Sequence, residues 1–398
     1  DLLIIAHFTQ VPGESGNGRF HYIAQNLNNE NISVEIVTSS FSHKTKTQRN
    51  ISSRVSNIGY KLTTLYEPGY KRNVSFKRFY SHYIMGCNLR KYLKQRKKPD
   101  IIYCAVPSLS VASVAAKYAK ENNIRFIIDV QDLWPEAFKM VFNIPILSGL
   151  LFFPFEKKAN YIYSVADEII AVSKTYANRA LKVNNKVKDY HVVFLGTELL
   201  HFDKYASCGL NKPKNEFWIV YVGTLGHSYD LISVINALKI VKSKGIKNIK
   251  FIVIGDGPLK SKFENYAKEH GIDAEFTGRL DYSEMVSILV ECDIAVNPIS
   301  HGAAQSIINK HGDYAAAGLP VLNTQESEEY RDLVCKYGIG INCNNADAED
   351  LADKILILYY NEELRKIMGK NSRKLAENKF DRAVTYRDIF KLLGNISR

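Results

Sequence analysis

The chain has little cysteine, no long apolar run and, over one stretch, almost no acid. Its six cysteines (Cys87, Cys104, Cys208, Cys292, Cys335 and Cys343) are scattered through 398 residues with no C-x-x-C pair. That argues against a disulfide framework or a zinc ribbon and for a reducing compartment. There is no H-E-x-x-H, D-x-D pair or Cys/His cluster, so no obligatory metal is expected. No apolar run reaches the roughly 18 residues of a spanning helix. The nearest, "MVFNIPILSGLLFFPF" (140–155), is interrupted by Asn143, Pro145 and Pro154. It reads as a helical hairpin in the core, or else as a segment resting on a membrane. The opening "DLLIIAHF" is an apolar strand and not a signal peptide, so a cytoplasmic location is expected.

Acid is missing from residues 41–99, where fifteen Lys and Arg face only Glu67, a balance of +14. The other 339 residues balance to −2, so one region holds the whole excess behind the net +12. Nine aromatics are interleaved there: Phe41, Tyr60, Tyr66, Tyr70, Phe76, Phe79, Tyr80, Tyr83 and Tyr92. Amphipathic rings between cations suit the headgroup level of an anionic lipid surface. The same charge would attract nucleic acid, and a merely solvated face is the plain alternative.

What is present is a repeated alternation of apolar strands and amphipathic helices, in a chain long enough for two or three domains. "DLLIIAHF", "SVEIVTS", "DIIYCAV", "RFIIDV", "DEIIAVS" and "HVVFLG" read as buried parallel strands. The polar stretch 202–216 reads as a linker, and a second series begins at "FWIVYVG". Two α/β sets in succession predict two doubly wound, Rossmann-like domains facing across a cleft. The expected boundaries are 1–203 and 204–380, with a final helix, 381–398, crossing back to the first domain.

Several strands run into glycine. "VPGESGNGR" carries Gly16 and Gly18 but is not the dinucleotide fingerprint G-x-G-x-x-G. "VGTLG" carries Gly223, Thr224 and Gly226, "IGDGPL" Gly255 and Gly257, and "FTGRL" Gly278 and Arg279 followed by Leu280. Glycine lets backbone N–H groups approach an anion at the mouth of a helix. Four such ends on one sheet predict a nucleotide-phosphate site. A further stretch, "HGDYAAAGLPVL" (311–322), sets one acid, Asp313, before three alanines that allow close packing.

The order "VGTLG…IGDGP…FTGRL…DYAAAGLPV", with "DLWPE" in the first half, resembles the retaining family-4 glycosyltransferases of the GT-B fold. It is closest in pattern to bacterial enzymes of capsule and O-antigen assembly that add sugars such as N-acetylfucosamine. The resemblance implies a UDP-linked nucleotide-sugar donor, a lipid-linked sugar acceptor, and a peripheral position on the inner face of the plasma membrane. It implies no other cofactor and no nucleic-acid partner. Asp313 takes the place of the second Glu of an E-x7-E pair that grips the ribose hydroxyls, with Gln305 in the first place. Thr224 and Tyr229 stand where the family's loop Arg and Lys would be. Lys310 and Arg279 are then the candidate cations for the leaving diphosphate, and Ser306, Asn309 and Leu280 line the nucleotide. Gln131 and Asp132 replace a His-Asp pair, while Glu136 is a candidate base and Trp134 an apolar wall. Three other readings stay open: a UDP-sugar 2-epimerase, a catalytically silent binding subunit, and a nucleic-acid-binding protein.

Overall fold

The computed structural model describes residues 1–14, 18–28, 32–50, 58–73, 75–141, 147–207, 211–303, 307 and 309–394. It divides into two units, Asp1–Val193 with Tyr386–Arg398, and Phe194–Thr385.

The first unit is built on β1 (Leu2–Ile5), β2 (Val34–Ser39), β3 (Phe41–Ser42), β4 (Thr47–Gln48), β5 (Lys61–Leu65), β6 (Ile101–Val106), β7 (Arg125–Val130), β8 (Glu168–Ala171) and β9 (His191–Val192). All but β3 and β4 join one parallel sheet in the order β5-β2-β1-β6-β7-β8-β9. The order reverses between β1 and β6, which makes that point the switch of a doubly wound sheet. β1 and β6 are buried along their whole length, as apolar runs covered on both faces must be. β5 lies inside the basic stretch and was not foreseen, because "KLTTL" is an exposed-to-half-buried edge with little apolar signal. A buried ion pair ties this unit together. Arg19 donates from Nε to Asp129 Oδ2 at 2.7 Å and from a terminal nitrogen to the Tyr386 hydroxyl at 2.9 Å. The helix Arg387–Gly394 sits against the same core, burying Ile389 and Leu393 beside Leu2, Ile4 and Tyr103.

The second unit carries β10 (Phe217–Val222), β11 (Ile249–Ile254), β12 (Ala274–Gly278), β13 (Ile294–Asn297), β14 (Val321–Asn323) and β15 (Gly340–Asn342). They form a parallel sheet ordered β12-β11-β10-β13-β14-β15, switching between β10 and β13. Apolar clusters cover both faces, one around Phe217, Leu238 and Ile355 and the other around Val220, Ala315 and Phe380.

Two expectations are corrected here. The chain leaves the first unit at Val193 and not at 203, because β9 closes that sheet and Phe202 is buried in the second unit's core. Residues 202–206, placed in the linker, belong to the helix Leu199–Ala206. The return falls at Tyr386 and not at 381, since Phe380 still packs in the second unit. The stretch 140–155 carries the start of a helix, Leu147–Val165, that continues through Pro154.

Candidate functional site

The glycine loops of the second unit meet at the carboxyl edge of its sheet. Gly223 donates to the Ile254 carbonyl at 3.0 Å, Gly255 to Gly278 at 2.8 Å, and Leu225 to Asp256 at 3.0 Å. Gly255 and Gly257 are required by this contact between loops. A Cβ on Gly255 would lie 1.8 Å from the Gly223 carbonyl oxygen, and one on Gly257 2.3 Å from that of Leu225. Gly226 differs: its nearest neighbour would be the Thr224 methyl at an ordinary 3.7 Å. Across the switch point the loop after β10 is fixed to the loop after β13. Asp230 donates to the Pro298 carbonyl at 2.9 Å and Ser300 to that of Ser228 at 3.0 Å. Thr224 is exposed, with its carbonyl accepting the Tyr221 hydroxyl at 2.8 Å.

Against these loops lies the helix Asn309–Ala316. It starts on exposed Asn309 and buries Lys310, whose Nζ lies 4.8 Å from the ring centre of Tyr221 and 4.4 Å from that of Tyr229. Among the described residues this Nζ has no hydrogen-bond partner, and burial pushes its pKa well below the usual lysine value. An ammonium stripped of water over two aromatic rings is costly, so the site favours the neutral amine of Lys310 until an anion arrives. Three residues on, Asp313 Oδ1 accepts from Thr197 Oγ1 and from the Tyr282 hydroxyl, each at 3.0 Å. Burial raises its pKa to about 6, opposed by those two bonds and by the charge of Arg382. Arg279 is exposed and 4.0 Å from Asp256, a loose pairing that leaves it available to solvent. Leu280 is half-buried against the core beside it. Gln305 and Ser306 lie outside the described residues.

Sequence reasoning missed the device that holds this helix. Asn297, Asn323 and Asn342 end β13, β14 and β15 in register. They form a ladder, Asn297 Nδ2 to Asn323 Oδ1 and Asn323 Nδ2 to Asn342 Oδ1, both at 2.8 Å. His311, on the candidate helix, meets Asn297 at 3.2 Å and packs edge-on against Tyr330. The signal available was the repeated Asn closing "AVN", "VLN" and "GIN".

In the first unit, Gly16 lies outside the described residues, and Gly18 adopts a positive φ of 68° just before the helix Arg19–Asn28. Asp132 accepts from its neighbour's backbone at Leu133 (2.9 Å) and from Trp134 Nε1 (3.0 Å), and burial raises its pKa. Glu136 is ion-paired through Oε1 to Arg179, which also binds Asn160. The basic stretch 41–99 does not form a single face. Tyr66, Phe76, Tyr80 and Tyr83 are exposed, but Phe41, Tyr60 and Tyr70 are buried, and Arg78 and His82 turn inward. The reason is helical period: on the helix Phe76–Gln95 one side carries Arg78, His82, Met85 and Leu89 to the core, the opposite side Phe76, Tyr80 and Tyr83 to solvent.

Two doubly wound parallel units, one with glycine loops meeting at its carboxyl edge, define the class of GT-B proteins. The chain belongs to the glycosyltransferases of that fold: residues 19–199 match the family described as Glycosyltransferase Family 4, and 207–375 the one described as Glycosyl transferases group 1. It is 24% identical over 309 residues to the capsular polysaccharide biosynthesis glycosyltransferase CapM of Staphylococcus aureus, covering 75% of this chain and 77% of that one. An uncharacterized glycosyltransferase of Methanocaldococcus jannaschii, MJ1178, is 26% identical over 228 residues. That match takes in 55% of this chain and 58% of the relative, so the chain spans little more than half of that protein's length. A Campylobacter jejuni N-acetyl-D-galactosaminyltransferase named for a diNAcBac-PP-undecaprenol-linked acceptor is 24% identical over 223 residues (56% and 53%). Among solved structures, Anabaena HepE in complex with UDP and glucose superposes with a TM-score of 0.71 at 13% identity, covering 99% of both chains. No helix among the described residues is long and apolar enough to cross a membrane.

Proposed function

We propose that the protein transfers a sugar from a UDP-linked donor to a lipid-linked acceptor in cell-surface polysaccharide synthesis, with retention of configuration. The observation that carries this reading is the helix Asn309–Ala316, which sets Lys310 and Asp313 beside the glycine loops of the second sheet. In this reading the loop amides hold the diphosphate, and Asp313 exchanges its Thr197 and Tyr282 donors for the ribose hydroxyls. Lys310 takes up a proton as the phosphates enter its pocket, and its charge then stabilises the departing diphosphate. Arg279 assists from the surface. Retention follows the front-face route, in which the leaving phosphate helps to deprotonate the acceptor hydroxyl. The UDP seen with HepE, the capsule role in the name of CapM and the undecaprenol-linked acceptor in that of the Campylobacter enzyme support the donor, pathway and acceptor classes. The exposed Phe76, Tyr80 and Tyr83, with Lys77, Arg90 and Lys94 on the same helix, would face an anionic inner leaflet.

The test is titration calorimetry with UDP, TDP and GDP, followed by a transfer assay with the nucleotide sugar that binds. Asp313→Ala is expected to weaken nucleotide binding by about 1–3 kcal/mol through lost charge-assisted hydrogen bonds. Unchanged affinity would sink the assignment. A silent binding subunit is the second reading, favoured by Asp313 already being engaged by two donors. Tight nucleotide binding without transfer or hydrolysis would establish it.

A further inference from the structure

The carboxyl edge of the first sheet gathers cations and imidazoles from distant parts of the chain. His7 and Phe8 follow β1, His43 and Lys46 come from the β3–β4 hairpin, Glu67 follows β5, and Arg78 and His82 face inward from their helix. Four rings surround the Arg78 guanidinium, whose carbon lies 4.5 Å from the centre of Trp134, 5.6 Å from Tyr70, 5.8 Å from Phe138 and 5.9 Å from Phe8. His82 stacks on Trp134 with 11° between the planes. Lys46 points its Nζ over Tyr70 at 4.7 Å and to Asn73 Oδ1 at 2.6 Å. It does so from a φ of 61°, a backbone position usually given to Gly or Asn, so strain is accepted to place a lysine there.

The carboxylates of this cage are engaged by other groups. Glu67 is used up by His7 Nε2 at 2.7 Å and Ser81 Oγ at 2.5 Å, and Asp132 by Leu133 and Trp134. Among the described residues no carboxylate lies within ion-pair distance of Arg78 or Lys46. Buried polar atoms are also left over. Among the described residues Arg78 Nε, a donor, has no hydrogen-bond partner, nor do His82 Nε2 and His7 Nδ1, which donate or accept according to tautomer, on residues that are 7%, 3% and 2% exposed. The hydroxyls of Thr9 and Ser108, on the segments leaving β1 and β6 at the switch point, are orphaned too. Ser108 stands at the N-cap of the helix Leu109–Glu121 without capping it. Native interiors rarely leave buried polar groups unsatisfied.

His7, Glu67 and His82 place three potential metal ligands within 4.8 Å of one another. A divalent cation would, however, sit among Arg78, Lys46 and His43 with one carboxylate to answer it. The cations Arg78 and Lys46, with no ion pair among the described residues, favour an anion. We propose that this cage is an anion subsite for a phosphate or diphosphate group carried by the acceptor, held by Arg78 and Lys46 with the imidazoles beside them. It rests on the transferase reading for its role, but not for its chemistry. Glu67 then serves as a positioning residue that keeps His7 oriented.

The test is calorimetry of the full chain with inorganic pyrophosphate in saturating UDP, followed by Trp134 fluorescence. Pyrophosphate is expected to bind without displacing UDP, and Arg78→Gln to weaken it at least tenfold with UDP affinity unchanged. Lys46→Ala, on a half-exposed turn, is expected to weaken it three- to tenfold, and it decides the matter if Arg78→Gln fails to fold. No pyrophosphate binding, displacement by UDP, or full binding in both variants overturns the subsite. Failure to bind UDP condemns the donor reading instead, since the pyrophosphate titrations are still read out by these variants. A short polyprenyl diphosphate binding tenfold tighter than pyrophosphate would assign the anion to a lipid acceptor. Equal affinities would assign it to a soluble phosphorylated one, with the subsite standing in both cases.

Discussion

The two sheets end in opposite styles. The second unit's edge is made of backbone: glycine loops hydrogen-bonded to one another, with the buried amine of Lys310 beside them. The first unit's edge is made of side chains: imidazoles, rings and guanidinium groups drawn from residues 7 to 138. Backbone amides offer the same geometry to any phosphate, so such a site can be written as a compact motif. Side chains fit one partner and can come from anywhere in the chain. In the proposed reading, the difference divides a shared nucleotide from an individual acceptor.

The comparison is open to breakage at four points. Arg19→Met should be the most damaging change, because it leaves Asp129 charged and buried beside Tyr103. Breaking such a pair costs about 3–5 kcal/mol, and urea unfolding should show the loss in the first unit. Gly255→Ala should cost the second unit about 3 kcal/mol, since the new methyl meets a carbonyl oxygen at a φ of 144°. A mild effect would mean that the loops are looser than drawn and that their glycines serve a ligand instead.

Asp313→Asn tests the acid between them. With a folded pKa near 6, above the ordinary Asp value, the native carboxyl holds a proton that the unfolded chain has released between about pH 4 and 6. Stability therefore falls as pH rises through that window, by about 3 kcal/mol, and the Asn variant should lack this part of the slope in denaturant titrations from pH 4 to 7. Nucleotide affinity in the parent should move the other way, strengthening above pH 6 as the carboxylate forms. Lys310→Met should give the smallest change in stability, a gain of about 1–2 kcal/mol from removing an unpaired buried amine. Nucleotide turnover should drop in the same variant. A lysine whose loss is neutral for turnover would move the leaving-group cation to Arg279.

The second unit was the more legible in sequence for the same reason. Strands such as "FWIVYV" and "IKFIVI" announce themselves by continuous apolarity, and "IGDGP" marks a turn only glycine can make. Asp313 and Lys310 became candidates through the family resemblance of the helix that carries them. Nothing in the order of residues says that His7, Lys46, Arg78 and Trp134 converge, since their spacing follows no period and only the sheet order brings them together. The basic stretch misled for a related reason. Composition counts charges without regard to the helical turn that sends Arg78 inward and Lys77 outward. The boundary near 193 was missed because β9 is only two residues long.

The packing of Tyr386, Ile389 and Leu393 into the first unit has a consequence for how the protein is made. The strands β1 to β9 leave the ribosome early, yet the cover over Leu2, Ile4 and Tyr103 and the partner hydroxyl for Arg19 are not synthesised until the entire second unit has followed. The first half must therefore wait with an uncovered apolar groove while the second half emerges and folds. It is the natural client for a holding chaperone during translation. A ribosome that stalls before codon 386 would release a chain whose second half is finished and whose first half is not.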